Sequence, residues 1–399
     1  MYELGFLLHL YQPPNQFHNV LKRVVSECYN PLFDLINSRN DANFTINICW
    51  SLTEKLIQHG MDDVLDKIKK AMETGRIEIT GSAAYHALLP LIPRDEAKRQ
   101  VDLNFDSHRK IFGPLYKPRG FFPPEMAIDP QTLDIISEAG YDWTITDDIP
   151  FSLINRHVPY NYIATVGELG VLLRSNLWSN KISLDKDKKG KPHRGKEIAE
   201  WLKSGLDMWI RGRDGYIILA MDGETFGHHI KGYIEDFLVP FLDALKEYRI
   251  RMEHLSTIYD IFPRREEKIP PGSWSTSEED FWECNFFPLW KNKYNRPQKL
   301  LWELTGLAVS GARRIQELLD RSLNSCTFWW IGTHPDELSP ITSMGIDMLI
   351  EVIRQANPSA IPRAIELKRE LEEEFARHRK QLLEKRLEMS RIDSSKYPD

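Results

Sequence analysis

The chain has 399 residues, 42% hydrophobic and 28% charged, with a formal charge of −6, which suits a folded protein with room for two structural units and excludes extended disorder. A nucleic acid partner is not expected, because phosphate binding demands a surplus of Lys and Arg on one face. A neutral, polar substrate fits the balance better.

Through the first half, short β-rich runs alternate with longer helical patterns, the rhythm of repeated βα units around a parallel sheet or barrel. Strands are expected at Tyr2–His9, Phe44–Cys49, Ile77–Thr80, Gly120–Phe122, Trp143–Thr146, Val171–Arg174 and Tyr216–Met221. Between them lie helical stretches such as Asp62–Thr74, Arg94–Phe112, Pro130–Ala139 and Tyr233–Tyr248. The opening apolar run ends at His9 before Gln12-Pro13-Pro14, too short and wrongly flanked for a signal peptide or membrane span. Cys28, Cys49, Cys284 and Cys326 are widely spaced with no C-x-x-C pair, which supports neither a zinc ribbon nor a disulfide scaffold. A cytoplasmic location with reduced thiols and no membrane partner is therefore expected. Asp185–Lys196 reads as a solvated loop or a lid, and Arg264–Asp280, which carries Trp274, as a long connection. Beyond Pro297 the pattern turns helical, over Gln298–Leu319, Pro340–Ala356 and Ala360–Arg391, the last with an apolar face of Leu367, Leu371, Phe375 and Leu382. The expected division is an α/β unit over 1–265 and a helical unit over 266–399.

Chemistry-bearing residues follow the expected strands, where parallel barrels and open α/β sheets place their sites. Glu125 follows Gly120–Phe122 behind Pro123-Pro124, and the two prolines stiffen the backbone beneath it. It reads as a nucleophile or as a cap for the helix beginning near Asp129. Asp222, Glu224, His228 and His229 cluster after the Tyr216–Met221 run. Asp222 reads as a proton donor, since crowded carboxylates raise one another's pKa, or as a turn cap at Gly223. Paired acids are the minimal machinery of glycoside cleavage: one attacks the anomeric carbon and the other protonates the leaving oxygen, then activates water or an acceptor sugar. His9 and Gln12 could bond sugar hydroxyls, and Asp147-Asp148 follow another strand. Glu78 alternates with apolar neighbours, so it faces either a ligand in the interior or the surface of an edge strand. Most of the eleven Trp belong to the core, yet flat rings also line sugar clefts, and Trp274 and Trp329 are candidates for that use.

Taken in order, these segments resemble the family 57 glycoside hydrolases, which include α-amylases, 4-α-glucanotransferases, branching enzymes and pullulanases. His9 with Gln12-Pro13 stands for the first motif, Gly75-Arg76-Ile77-Glu78 for the second, Glu125 for the third, Asp222-Gly223-Glu224 for the fourth and Leu255–Tyr259 for the fifth. Thr146-Asp147-Asp148 and Ser325–Trp330 look like further shared segments. Pro-Pro-Glu stands where many members have a Trp two or three residues ahead of the Glu. The resemblance implies an incomplete (β/α)7, TIM-barrel-like unit followed by a C-terminal α-helical domain that completes a cleft. It implies retaining cleavage or transfer on α-1,4-glucans, with Glu125 as nucleophile and Asp222 as acid/base. Substrate contacts are expected from His9, Gln12, Glu78, Asp147, Glu224, His228, Tyr259, Trp274 and Trp329. No cofactor or metal is implied, and the expected partner is an α-glucan or maltooligosaccharide. Members with transferase or branching activity are generally longer, so the product type does not carry over. Two other readings stay open. One is a metal-dependent carbohydrate enzyme of deacetylase or mannosidase type, built on His9, His86, Asp147, Asp148, His228 and His229, although Tyr11 stands where mannosidases have a ligand Asp. The other is a non-catalytic glucan-binding protein.

Overall fold

The computed structural model describes residues 1–311, 315–334 and 337–396, with side chains to residue 384. Its sheet holds β1 (Tyr2–Leu10), β2 (Phe44–Ile48), β3 (Ile77–Ile79), β4 (Gly120–Phe121), β5 (Trp143–Asp147), β6 (Ile163–Val166), β7 (Leu169–Arg174), β8 (Gly215–Asp222), β9 (Ile250–Glu253) and β10 (Arg264–Glu266).

Every residue of β1 is buried, as in strands covered on both faces. Its alternate side chains serve two cores. Tyr2, Leu4, Phe6, Leu8 and Leu10 join the larger one, packed against helices through residues such as Leu21, Phe33 and Phe241. Leu7 joins a second core of inward-facing Trp143, Ile145, Leu172, Tyr216, Ile218 and Ala220, closed by Leu255, Ile258 and Tyr259 of the helix Leu255–Ile261. Gly5 lets that helix approach, since a Cβ there would lie 2.8 Å from Leu255 Cδ1.

β8 pairs in parallel along β1 from Tyr2↔Gly215 to His9↔Asp222. The other edge of β1 is shared by β9 at Tyr2–Gly5 and by β2 at Leu7–Leu10. The parallel pairings continue β2–β3 on one side and β8–β7–β5–β4 on the other. A bridge between Gly81 and Phe121 joins β3 to β4, so the path of pairings returns to its start. β6 runs antiparallel to β7 and carries β10 on its far edge.

The expected strands and helices of this half are all present. β6, β9 and β10 were not anticipated, and the segment read as a connection from Arg264 begins with β10, whose three residues are exposed and charged and so show no period-2 signal. The helix Pro130–Glu138 is capped by Asp129, whose carboxylate accepts from Thr132 N at 2.8 Å, so Glu125 does not cap it. The stretch Tyr233–Tyr248 contains a π-helical turn, Ile234–Leu238, that ends two residues before Pro240; a second such turn, Val25–Tyr29, ends two residues before Pro31. Proline has no N–H to give to the preceding turn, which widens there.

The chain divides into two compact units, Met1–Trp282 and Glu283–Asp399, so the first takes in 266–282, assigned above to the second. Among the described residues of the second unit are the helices Arg296–Gly311, Gln316–Ser322, Ser325–Thr333, Pro340–Ala356 and Ile361–Lys396. Residues 312–314 of the expected stretch Gln298–Leu319 lie outside the described residues. Leu367, Leu371 and Phe375 are buried as expected, but Leu382 is exposed. Among the described residues no helix is long and apolar enough to cross a membrane.

Candidate active site

Because β1 and β8 pair in register, Asp222 and His9 stand side by side at the carboxyl ends of neighbouring strands, with the Asp222 side chain exposed. His9 Nδ1 lies 2.7 Å from Asn47 Oδ1, while Asn47 Nδ2 donates to Thr80 Oγ1 at 2.9 Å. With the Asn47 oxygen committed as acceptor, His9 carries its hydrogen on Nδ1 and leaves Nε2 with a lone pair. Burial lowers the pKa of His9, against an opposing pull from Asp222.

Four rings form a column at this end of the sheet. Tyr11 stacks on His86 at 4.2 Å, His86 on His9 at 4.7 Å and His9 on Phe122 at 4.9 Å, with interplanar angles of 16° to 22°. His86, buried and in left-handed backbone at φ 58°, places Nδ1 3.6 Å from Glu125 Oε1. Burial holds the His86 pKa well below its ordinary value, so this is a neutral imidazole beside a carboxylate and not an ion pair.

Glu125 follows Pro123-Pro124 in a short 3-10 turn with φ 60° and ψ 16°, and Met126 is also left-handed at φ 49°. Consecutive non-glycine residues in this region are costly and persist only when their surroundings fix them. A strap over Gly272–Trp274 does so. Ile128 N donates to Gly272 O at 2.9 Å and Gly272 N to Ile128 O at 3.1 Å, while Trp274 N donates to Glu125 O at 3.3 Å. The Trp274 indole donates to Glu125 Oε2 at 2.9 Å. Gly272 is needed there, since a Cβ would lie 2.6 Å from Pro150 Cγ.

Glu224, buried, accepts at Oε1 from Tyr11 N and Gln12 Nε2, each at 3.3 Å, and from the Tyr29 hydroxyl. Burial first, and the charge of Asp222 second, raise its pKa to about 7. Gln12 is thereby joined to Glu224. His228 is turned away, its Nδ1 2.7 Å from Glu27 Oε2.

Asp147, fully buried, binds Arg174 Nη1 at 2.7 Å, accepts from Asn176 Nδ2 at 3.1 Å and caps the next helix through Ile149 N. Its neighbour Asp148 accepts from Asn176 N at 3.1 Å, and burial followed by the charge of Asp147 raises its pKa to about 7. Glu78 accepts from Thr45 Oγ1 at 2.6 Å and from Ser256 N at 3.1 Å. Thr45 pairs with Leu7, so Glu78 sits below the His9 level and holds the start of the inner helix. Tyr259 lies further toward the strand starts, its ring 4.3 Å from the Arg264 guanidinium and packed on Gly170. Trp329 belongs to the helix Ser325–Thr333 of the second unit and meets His334 edge-on at 5.6 Å.

Of the expected site residues, a chain of contacts and strand pairing therefore joins His9, Gln12, Glu125, Asp222, Glu224 and Trp274. Glu78, Asp147 and His228 have protein partners for their polar atoms, and Tyr259 sits away from the rim. His86, Asn47, Tyr29 and Asn176 were not singled out for the sugar site. Asn47 lies on β2 and could have been found by that rule; His86, seven residues past the end of β3, and Tyr29, on a helix, carried no such signal.

Among the described residues, donor atoms of His9, Cys49 and His86 fall within 4.8 Å of one another. The two imidazoles are stacked at 21°, so their in-plane lone pairs run side by side instead of converging on one ion. Burial also pushes the Cys49 thiol up to about 12.

Residues 8–270 match the model of glycosyl hydrolase family 57. The α-amylase 1 of Dictyoglomus thermophilum is 30% identical over 146 residues, 36% of this chain and 21% of that one. The 4-α-glucanotransferase of Thermococcus litoralis is 24% identical over 146 residues, 37% of this chain and 22% of that one. The crystal structure of a GH57-type branching enzyme from Pyrococcus horikoshii shares the fold, with a TM-score of 0.67 at 17% identity over 94% of both chains. The matched part of this chain spans between about a tenth and just over half of the length of the curated relatives it matches.

Proposed function

This chain belongs to glycosyl hydrolase family 57, and on that premise we propose that it cleaves or transfers α-1,4-linked glucans with retention of anomeric configuration. Glu125 attacks the anomeric carbon while Asp222 protonates the departing glycosidic oxygen. Asp222, now a carboxylate, then takes a proton from water or from an acceptor sugar hydroxyl, which displaces Glu125.

The observation that carries this reading is the ring column. His9 pairs with Asp222 across β1 and β8, and His86, stacked on His9, touches Glu125, so the carboxylates flank one wall of apolar and neutral rings. Such a wall suits the face of a pyranose. The Trp274 bond to Oε2 favours the charged form of the nucleophile, and the exposure of Asp222 suits a group that must meet successive acceptors. His9 offers a lone pair to a sugar hydroxyl. We read the returning path of strand pairings as the (β/α)7 barrel, the helices after Glu283 as the C-terminal helical domain, and Cys28, Cys49 and Cys284, which form no disulfide, as fitting a reducing cytoplasm.

Incubation with maltoheptaose tests the reading. Shorter sugars alone mean hydrolysis, and longer ones in addition mean transfer. NMR of the first product should show the α-anomer; first-formed β-anomer, or no turnover of any α-glucan, overturns the proposal.

A further inference from the structure

We propose that Asn176 is a positioning residue for the nucleophile, acting through Trp274; this rests on the assignment of Glu125 given above. Asn176 opens the helix Asn176–Ser183, directly after β7. Its Nδ2 donates to both Asp147 carboxylate oxygens at 3.1 Å and to the Trp274 carbonyl at 3.3 Å. Its Oδ1 accepts from Asn180 Nδ2 at 2.9 Å, and Asn180 Oδ1 accepts from Arg174 Nη2 at 2.7 Å. Arg174 closes the circle on Asp147 Oδ2 at 2.7 Å and donates through Nε to Ala220 O at 2.8 Å.

This circuit allows one orientation of the amide. Flipped, Asn176 would set its oxygen against two carboxylate oxygens and its NH2 against that of Asn180. The anchors are strand residues: Asp147 ends β5, Arg174 ends β7 and Ala220 lies in β8. Trp274, by contrast, lies outside the helices and strands, and its carbonyl is held by Asn176 while its indole holds Glu125 Oε2. The strand ends thus reach the Glu125 carboxylate through one side-chain amide and one indole, beside the backbone bonds of the strap. The use of the buried Asp147–Arg174 pair is to aim that amide. A reacting carboxylate must come within about 3–3.5 Å of the anomeric carbon, and a small misplacement from a remote change costs about 10²-fold in rate.

The test is Asn176→Ala in the full chain. Turnover of maltoheptaose should fall about 10- to 100-fold with KM changed less than about threefold. The 15N-labelled indole of Trp274, assigned by its loss in Trp274→Phe, should follow the ionisation of Glu125 in the parent protein and lose or shift that titration in Asn176→Ala. Combined with Trp274→Phe, the Asn176 change should add little further loss, since both act on one link. An unchanged kcat with an unchanged indole titration, or full additivity of the two losses, overturns the proposal. Should Asn176→Ala not fold, Asn176→Ser, too short to reach the Trp274 carbonyl, carries the same readouts. Activity retained by Glu125→Gln would instead remove the nucleophile assignment, while the indole resonance of Trp274 in Asn176→Ala still scores the link from Asn176.

Discussion

Asp222 ends a regular eight-residue strand and its side chain is exposed. Glu125 stands in a left-handed turn behind two prolines, with both carboxylate oxygens approached by protein groups and its own carbonyl bound by the Trp274 strap. Asp222 accepts no side-chain hydrogen bond among the described residues, and its charge helps to raise the pKa of the neighbouring Glu224. The difference follows from the two tasks proposed. A group that forms a covalent bond gains from being fixed before the substrate arrives, whereas one that gives and regains a proton needs access to a changing partner.

The largest effects should come from the carboxylates. Glu125→Gln and Asp222→Asn should each lower kcat by about 10³-fold or more while substrate still binds. A glycoside with a good leaving group separates them: bond cleavage by Asp222→Ala should be largely spared, because no proton is needed, and azide should speed release of its intermediate. Glu125→Ala should stay inactive until azide replaces the missing nucleophile. Equal responses of the two variants would break the contrast.

Asp147→Ala comes next. It strands Arg174 without its buried partner, so it should destabilise the fold by about 3–5 kcal/mol, measured by urea unfolding. A change near zero would mean that Arg174 finds another partner. Trp274→Phe keeps the ring but removes the donor to Glu125. Turnover should drop roughly 10-fold, as loss of a hydrogen bond to a charged group allows.

A further effect is on stability against pH. Glu224 is raised in the fold to about 7 from an ordinary 4.5. Between those values the unfolded chain gives up the proton and the folded one keeps it, so this group removes stability as pH rises through that window and nothing further above it. Glu224→Gln should flatten the fall in Tm between about pH 4.5 and 7. A parent Tm that rises through the window, with no difference in the variant, would contradict the cause given.

The legibility of the site differed between its two halves for the same physical reason. Asp222 and His9 close long apolar strands, so the sequence alone locates them at the rim. Glu125 is equally visible as a carboxylate after a strand, but its clasp by Trp274 joins residues 149 positions apart, and no local pattern carries such a contact. Asp147 and Glu78 obey the same rule of carboxylates on strands, yet their partners, Arg174 and Ser256, come from other elements. Whether a strand carboxylate is free for substrate is decided by those distant donors. β10 was missed because the alternation that marks a strand requires one buried face, and it has none.

The most direct test of the account is covalent trapping. The protein would be incubated with a fluorinated α-glucosyl fluoride that forms the glycosyl-enzyme but leaves it slowly, then digested and read by mass spectrometry. The account predicts one sugar adduct, on the peptide containing Glu125, absent after Glu125→Gln. An adduct on Asp222, Glu224 or Asp147, or undiminished turnover with no adduct on any carboxylate, would contradict it.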